Sequence, residues 1–136
     1  MSSTLREVLI KRPGPAFGRA FDAPAHGFLC PVDLDLARPE HDAFADPLAS
    51  LGPIVRFLDD EPASDPDLVY PFDPLLVTDR GAIPLRPGVV IVAAGNPVTA
   101  AALSASGCDV HTYAATQIGI NGSGGPTCMT RPILRD

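Results

Sequence analysis

The residue whose type and surroundings most clearly suit chemistry is Cys128, which directly follows the segment Gly122-Ser-Gly-Gly-Pro-Thr. A glycine-rich approach lets backbone N–H groups come close to a thiolate or to a charge that develops on a bound substrate. This setting predicts a cysteine nucleophile. The alternative is an inert buried thiol at the start of a strand, which is the commoner role of an arbitrary cysteine.

A thiolate nucleophile usually works with a base, which draws attention to His26, His41 and His111. For each of the three, an ordinary surface or half-buried side chain is the favoured interpretation. Cys108 and His111 have the spacing of half a metal site, but side chains three apart on a strand face opposite sides and no second pair follows. The glycine-rich loop also lacks the Lys and the spacing of a phosphate loop. We therefore expect neither a metal nor another cofactor.

Two carboxylates, Asp67 and Asp73, flank the apolar and aromatic run at 68–72. A carboxylate held among such neighbours is well suited to bind a guanidinium group through two parallel hydrogen bonds. Two solvated carboxylates in turns are the alternative interpretation.

The predicted elements that would position these residues are short strands and helices in alternation. In the first part of the chain they are a strand over 5–11, a surface loop over 16–33, a helix from about Pro39 with Gly52 after its end, and strands over 54–58, 69–78 and 82–86, the last two joined by a hairpin turn at 79–81.

After Gly88 the pattern changes to a short apolar run over 89–94, which is typical of a strand buried on both faces. A helix is predicted over 98–106, with Asn96 as its N-cap, Pro97 at its first position and Gly107 past its end. A strand over 109–114 and a terminal segment over 129–134 follow. Both halves thus alternate strands and helices, which predicts an α/β fold of two similar units laid end to end.

Composition limits the classes of protein that are compatible with this sequence. A chain of 136 residues has room for one domain, and a hydrophobic content of 46% predicts that it folds. A formal net charge of −6 argues against a nucleic-acid partner. No apolar run approaches the ~20 residues that cross a bilayer, and the first residues lack the layout of a signal peptide, so we expect no membrane association and a cytoplasmic location. Three cysteines without paired spacing argue against a disulfide framework.

Two ordered motifs resemble the amidinotransferase, or pentein, superfamily, and within it the dimethylarginine dimethylaminohydrolases. The first is Pro-Asp-Leu-Val-Tyr-Pro-Phe-Asp-Pro at 66–74 with its continuation to Gly88, and the second runs from Ala-Gly-Asn-Pro at 94–97 to Gly-Gly-Pro-Thr-Cys-Met-Thr at 124–130. With the opening strand and the segment 40–44, the resemblance covers nearly all of this chain. The central motifs of the family are missing, because Gly88 joins directly to Val89.

The fold that this resemblance implies is a closed ring of five ββαβ modules, a β/α-propeller, around a central active site. The expected fold class is therefore α/β, or α+β, with two ββαβ-type modules of an incomplete ring. The expected organisation is a single domain, 1–136, in which 1–88 is the first-module region and 89–136 is the last-module region with Cys128.

The activity that the resemblance implies is hydrolysis of a guanidino substrate, dimethylarginine or arginine, to citrulline. Cys128 would attack the guanidinium carbon to form a covalent intermediate, while Asp73 and Asp67 would hold the guanidinium nitrogens. The histidine that transfers protons in the family has no counterpart by motif. The alternatives are a non-catalytic remnant, a half-ring that pairs with another copy as a homo-oligomer, or a module that binds guanidinium without turnover.

Overall fold

The computed structural model describes residues 3–58, 66–71 and 82–136. Its strands are β1 (Leu5–Ile10), β2 (Ile54–Phe57), β3 (Ala82–Arg86), β4 (Val89–Ala93), β5 (Asp109–Tyr113) and β6 (Arg131–Arg135). Its helices are α1 (Pro15–Gly18), α2 (Leu34–Ser50), α3 (Pro97–Ala105) and a π-helical segment, α4 (Thr116–Asn121). Single 3₁₀ turns occupy Ala20–Asp22, Pro24–His26 and Pro66–Val69.

The strands form two small mixed sheets with the same internal pattern. In the first sheet, of order β2-β1-β6, the central strand β1 is parallel to β2 and antiparallel to β6. In the second sheet, of order β3-β4-β5, the central strand β4 is antiparallel to β3 and parallel to β5. A helix, α2 or α3, connects the parallel pair in each sheet. The mixed α/β character expected from the sequence is confirmed, while the two modules of an incomplete propeller ring stay a prediction.

The two sheets are not built from consecutive halves of the chain. Strand β6 returns from the C-terminal segment to pair with β1, so that Leu9 faces Arg131 and Val8 faces Pro132. The expectation of two units laid end to end was therefore wrong in this respect, because local sequence patterns carry no signal for pairing between distant strands. Gly88, at the predicted limit between the two module regions, lies with φ +77° in the turn between β3 and β4. The division at 88 stays a prediction.

Helix α2 begins earlier than the sequence analysis placed it. The carboxylate of Asp33 accepts a hydrogen bond of 3.1 Å from the Leu36 N–H and thereby caps the helix. Pro39 and Pro47 both lie inside the helix. Their cost to the hydrogen-bond ladder is outweighed by burial of one face, which includes Phe44 and Leu48.

The segment 16–33 is not the surface loop that the sequence analysis predicted. Its turns bury Phe17, Ala20 and Phe28, and the rings of Phe17 and Phe28 meet edge to face with centroids 5.4 Å apart. The absence of a regular period concealed this packing, because short irregular turns place apolar residues inside without a repeat.

The other elements follow the predictions closely within the described residues. Strands β1 to β5 lie where the sequence analysis predicted strands, and β4 is buried along its whole length. The strand predicted at 69–78 is the exception. Val69 instead ends a 3₁₀ turn, and residues 72–81, including the predicted hairpin turn, lie outside the described residues. Helix α3 begins at Pro97 as expected, but the Asn96 side chain makes no capping hydrogen bond.

Both sheets and α2 share one hydrophobic core. Val8 and Ile10 from β1, Phe44 from α2 and Ile91 from β4 are all essentially without solvent exposure. Burial of apolar surface of this kind is the dominant force that stabilises a fold of this size. In the part of the chain that the structure describes, no helix combines the length and apolar character needed to span a bilayer.

His41 makes the stability of this core depend on pH. Its side chain is fully buried on α2 and lies against the rings of Phe44 and Phe57. Burial lowers the pKa of His41 to about 4, and the Arg12 guanidinium adds to this effect against the opposing influence of Asp42 and the Lys11 backbone. The unfolded chain, with an ordinary histidine pKa of about 6.5, binds this proton more readily, so stability falls as the pH drops from about 6.5 towards 4.

We therefore predict that His41→Leu removes part of the acid sensitivity of the fold. Between pH 7 and pH 4.5, the free energy of unfolding of the unaltered protein should fall by about 2 kcal/mol more than that of the variant. Urea titrations at the two pH values measure this difference, with His111→Gln as the control for a half-exposed histidine. Equal losses in the unaltered protein and His41→Leu would contradict the assignment.

Candidate functional site

Cys128 lies half-buried in the turns between α4 and β6. Hydrogen bonds fix this loop on both sides of the cysteine. The Gly124 N–H donates to the Gly119 carbonyl at 2.8 Å, the Met129 N–H donates to the Gly125 carbonyl at 3.1 Å, and Thr130 Oγ1 donates to the Pro126 carbonyl at 2.9 Å. The sulfur is therefore carried by an anchored loop, as a positioned nucleophile requires.

Tyr70 joins the segment 66–71 to the glycine-rich loop. Its hydroxyl donates a hydrogen bond of 3.2 Å to the Ile118 carbonyl, and its ring packs against Gly122 and Gly124. A Cβ atom at Gly124 would lie only 2.5 Å from Tyr70 Cε1, so the close approach of ring and backbone requires glycine there. The structure thus brings the predicted guanidinium-binding segment and the cysteine loop together.

Of the two predicted substrate carboxylates, the structure describes only the backbone of Asp67. The backbone of Asp67 belongs to the turn Pro66–Val69, beside Tyr70, whereas its side chain lies outside what the structure describes. Asp73 falls within residues 72–81, which also lie outside the described residues. Both assignments stay predictions.

Glu40 anchors the start of α4. This carboxylate is almost completely buried, and it accepts hydrogen bonds from three consecutive backbone N–H groups. Thr116 donates to Oε1 at 3.0 Å, while Gln117 and Ile118 donate to Oε2 at 2.7 and 3.2 Å. A negative charge at the N-terminal end of a helix satisfies donors that have no partner within the helix and interacts favourably with its dipole.

Asn121 and Gln117 attach the segment before α2 to the other face of α4. Asn121 Oδ1 accepts from the N–H groups of Leu29 and Cys30 at 3.1 and 2.9 Å, and its Nδ2 donates to the Cys30 carbonyl. Gln117 Oε1 accepts from the Asp33 N–H at 3.1 Å, at the cap of α2. The position of the cysteine loop is thereby coupled to the whole N-terminal half.

Tyr113 is a buried ionisable side chain of the strand that precedes the cysteine loop. It ends strand β5 and is 3% exposed, with its ring centroid 4.9 Å from that of Phe44. Burial raises the pKa of the Tyr113 hydroxyl, and the nearby Cys128, Tyr70 and Glu40 act in the same direction. A neutral hydroxyl thus lies within electrostatic reach of the thiol.

The histidines and the remaining cysteines have other surroundings. His111 Nε2 lies 3.2 Å from an Asp109 carboxylate oxygen on β5, His26 lines a surface cleft with Arg19 and Asp22, and His41 is buried in the core. Among the described residues, no group of three His, Cys, Asp or Glu side chains is arranged to hold a metal ion.

Sequence reasoning missed three residues of this site: Glu40, Tyr70 and Tyr113. Glu40 belongs to the segment 40–44 of the resemblance, Tyr70 to the apolar and aromatic run at 68–72, and Tyr113 to the predicted strand over 109–114. The sequence offered a signal for Glu40. This charged residue shares a helix face with the apolar residues Ala37 and Phe44, which indicates a buried carboxylate that needs hydrogen-bond partners.

Comparison with known proteins finds similarity over the part of the chain that contains Cys128. Residues 78–135 match the family model of arginine deiminase. The arginine deiminases of Rhodococcus opacus (strain B4) and Rhodococcus jostii (strain RHA1) are each 44% identical to this chain over 57 residues, and that of Mycobacterium marinum (strain ATCC BAA-535 / M) is 43% identical over the same length. The matches support the pentein superfamily, and they favour arginine deiminases over the dimethylarginine-specific members.

The matches cover less than half of this chain and a small part of each relative. Each aligned segment is 42% of this chain but only 14% of the curated relative. The family match includes Cys128 and also runs across Gly88 and Val89, where the sequence analysis noted the missing central motifs. The family match and the β3–β4 hairpin therefore both extend across residues 88 and 89.

The buried cap predicts that Glu40→Gln is strongly destabilising. The amide has one oxygen in place of the two that now accept three N–H groups, and the variant loses the charge-assisted part of these bonds. We expect the free energy of unfolding to fall by about 2–3 kcal/mol, measured in urea. Asp46→Asn, an exposed change on the same helix, is the matched control and should cost less than about 0.5 kcal/mol. Similar effects of the two changes would refute the role of Glu40.

The packing of Tyr70 predicts that Gly124→Ala is damaging and that the damage depends on Tyr70. The new methyl group would overlap the Tyr70 ring, whereas Gly95→Ala, the control, would meet only the flexible end of Ile120 at 3.3 Å. We expect Gly124→Ala to destabilise the fold by about 1–3 kcal/mol and to cost much less when combined with Tyr70→Leu. Urea unfolding of the four-member cycle measures this coupling, and additive effects would contradict it.

Proposed function

We propose that this chain carries the cysteine part of a guanidine-hydrolysing site of the arginine deiminase type, with Cys128 as the nucleophile. One observation supports this proposal above the others: the segment similar to arginine deiminases contains Cys128 in an anchored glycine-rich loop, packed against the segment with the predicted guanidinium carboxylates. Arginine is the substrate that the matched relatives favour, and dimethylarginine is the second candidate, from the motif resemblance.

The reaction needs a thiolate and water, with no redox step. The Cys128 sulfur forms a bond to the guanidinium carbon, and an amino group leaves as ammonia after it takes a proton. Water then adds to the same carbon, the carbon–sulfur bond breaks, and the ureido product leaves with the thiolate regenerated. The sum is guanidinium plus water giving a ureido group plus ammonium. Covalent catalysis by a thiolate in this way divides one difficult displacement into two easier ones.

Binding of the cationic substrate falls to the carboxylates in this proposal. Asp73, with Asp67, holds the planar guanidinium through paired hydrogen bonds and presents its carbon to the sulfur. Proton transfer by a positioned acid–base group is typically worth about 10²–10⁴-fold, and none of His26, His41 and His111 is assigned that task. Slow turnover by this chain is the expected consequence.

Exposed apolar side chains supply a reason to consider self-association as well. Ile54 and Phe57 on β2 and Leu134 on β6 are each more than half exposed, although they lie on strands at the edges of the first sheet. Unpaired strand edges with apolar side chains favour pairing with another chain. A homo-oligomer that covers these strands is therefore part of the proposal.

The decisive measurement is whether Cys128 prefers a guanidinium-like electrophile. In the full chain carrying Cys30→Ser and Cys108→Ser, we expect 2-chloroacetamidine to alkylate Cys128 at least about tenfold faster, relative to chloroacetamide, than it alkylates a free cysteine derivative. Arginine should protect the thiol, and Asp73→Asn should remove the preference. Cys128→Ser provides the unlabelled control. A ratio equal to that of the free thiol would overturn the proposal.

Turnover is measured separately as citrulline released from arginine or from dimethylarginine, with ammonia or dimethylamine as the second product. Citrulline from arginine that disappears in Cys128→Ser would establish the hydrolase. Faster alkylation of Cys128 by 2-chloroacetamidine, without release of citrulline, would instead establish a guanidinium-binding module that lacks its proton-transfer group.

A further inference from the structure

Tyr70 contacts the glycine-rich loop and α4 at three points. Its ring lies against the backbone of Gly122 and Gly124, and a Cβ atom at Gly124 would approach Cε1 to 2.5 Å and both Cδ1 and Cζ to 3.0 Å. Its hydroxyl donates a hydrogen bond of 3.2 Å to the Ile118 carbonyl. Contacts this close leave the aromatic ring and the loop backbone little freedom to move independently.

The contact at Gly124 lies directly before the turn that contains Cys128, which we call the cysteine turn. The Met129 N–H closes this turn by donating to the Gly125 carbonyl at 3.1 Å, and Met129 is fully buried. The end of the cysteine turn is therefore fixed in the core. Its beginning consists of two glycines, which have more backbone freedom than other residues, so the restraint that the Tyr70 ring adds there matters most.

Tyr70 is itself anchored in the N-terminal part of the fold. The ring of Phe17, which is almost completely buried, meets the Tyr70 ring edge to face with centroids 6.2 Å apart. Val69, directly before Tyr70, is also buried, and it ends the turn Pro66–Val69 that carries the backbone of Asp67. One aromatic side chain thus connects the backbone of a predicted guanidinium carboxylate with the backbone of the cysteine turn.

A fixed distance between these two segments is what the proposed reaction needs. Attack by a thiolate requires the sulfur and the guanidinium carbon to lie about 3–3.5 Å apart, and a displacement of about 1 Å can lower the rate by ~10²-fold. We propose that Tyr70 is a positioning residue for Cys128, whose ring holds the start of the cysteine turn at a fixed place relative to the turn Pro66–Val69. For its effect on guanidinium chemistry this inference rests on the proposed function, whereas the restraint on the cysteine turn is measurable without a substrate.

The first test compares how Cys128 reacts with a guanidinium-like and with a neutral electrophile. In the full chain with Cys30→Ser and Cys108→Ser, the ratio of the alkylation rates by 2-chloroacetamidine and by chloroacetamide is measured with and without Tyr70→Leu. We expect Tyr70→Leu to lower this ratio about tenfold, because a displaced sulfur no longer meets the bound amidine. Tyr70→Phe keeps the ring and should stay within about threefold of the unaltered chain. A ratio in Tyr70→Phe as low as in Tyr70→Leu would overturn the role of the ring.

Phe44→Leu is the matched control for a loss of stability. Phe44 is fully buried on α2 and meets the rings of His41 and Tyr113, so this variant also loses an aromatic ring from the core. Its ratio of alkylation rates should remain within about twofold of the unaltered chain. Equal losses of the ratio in Phe44→Leu and Tyr70→Leu would show that Tyr70 only stabilises the fold, which overturns the proposal.

Hydrogen exchange measures the restraint on the cysteine turn without a substrate. Exchange of the Met129 amide hydrogen, followed by NMR, should be at least about tenfold faster in Tyr70→Leu, while exchange of Ile91 on β4 changes much less, because the opening is local. Gly124→Ala disturbs the same contact and should accelerate exchange at Met129 in the same way, which keeps the test decisive if Tyr70→Leu does not fold. Unchanged exchange at Met129 in the folded variants would overturn the proposal. Faster exchange in a chain whose Cys128 shows no preference for the amidine would keep this role of Tyr70 and reject the proposed function.

Discussion

The carboxylate of Glu40 is the interaction on which the arrangement of this molecule depends. It lies on a helix whose cap is at Asp33, yet its three hydrogen bonds are with the segment 116–118, more than seventy residues later in the chain. A buried carboxylate without partners would be very costly, so the fold tolerates Glu40 only in this geometry. One side chain therefore fixes the distance between α2 and the beginning of α4.

From this anchor the position of Cys128 follows through packing. Helix α4 leads into the glycine-rich loop, Tyr70 lies between the Ile118 carbonyl and Gly124, and β6 then returns to pair with β1. The loop is thus held at its start by a charged cap, along its middle by an aromatic ring, and at its end by a sheet. Such supports hold the backbone on both sides of Cys128 in place, as its proposed role as nucleophile would require.

Local patterns predicted most of the strands, since a buried apolar run such as 89–93 is recognisable in a short window, as is the glycine-rich segment that precedes Cys128. Local patterns could not predict which strands pair with each other or which side chains meet. Pairing of β6 with β1 and capping of α4 by Glu40 join residues that are distant in sequence, and no periodicity reports such contacts. The early start of α2 was missed because Pro39 resembled a boundary, whereas burial of the helix face outweighed it. The contacts of Glu40 with α4 and of Tyr70 with the glycine-rich loop were correspondingly not predicted, while the role of Cys128 stays a prediction.

The repeated strand pattern of the two sheets explains why the candidate nucleophile lies where it does. Strand β5 ends the second sheet at Tyr113 and β6 begins the edge of the first at Arg131, so residues 114–130 form the passage from one sheet to the other. Cys128 belongs to this passage, which follows the buried Tyr113 at the end of β5 and ends where β6 begins. Its half-buried side chain leaves the thiol within reach of a small molecule, while hydrogen bonds from Met129 and Thr130 hold the loop that carries it. The order of elements along the chain therefore delivers this cysteine on a connection that is anchored at both ends.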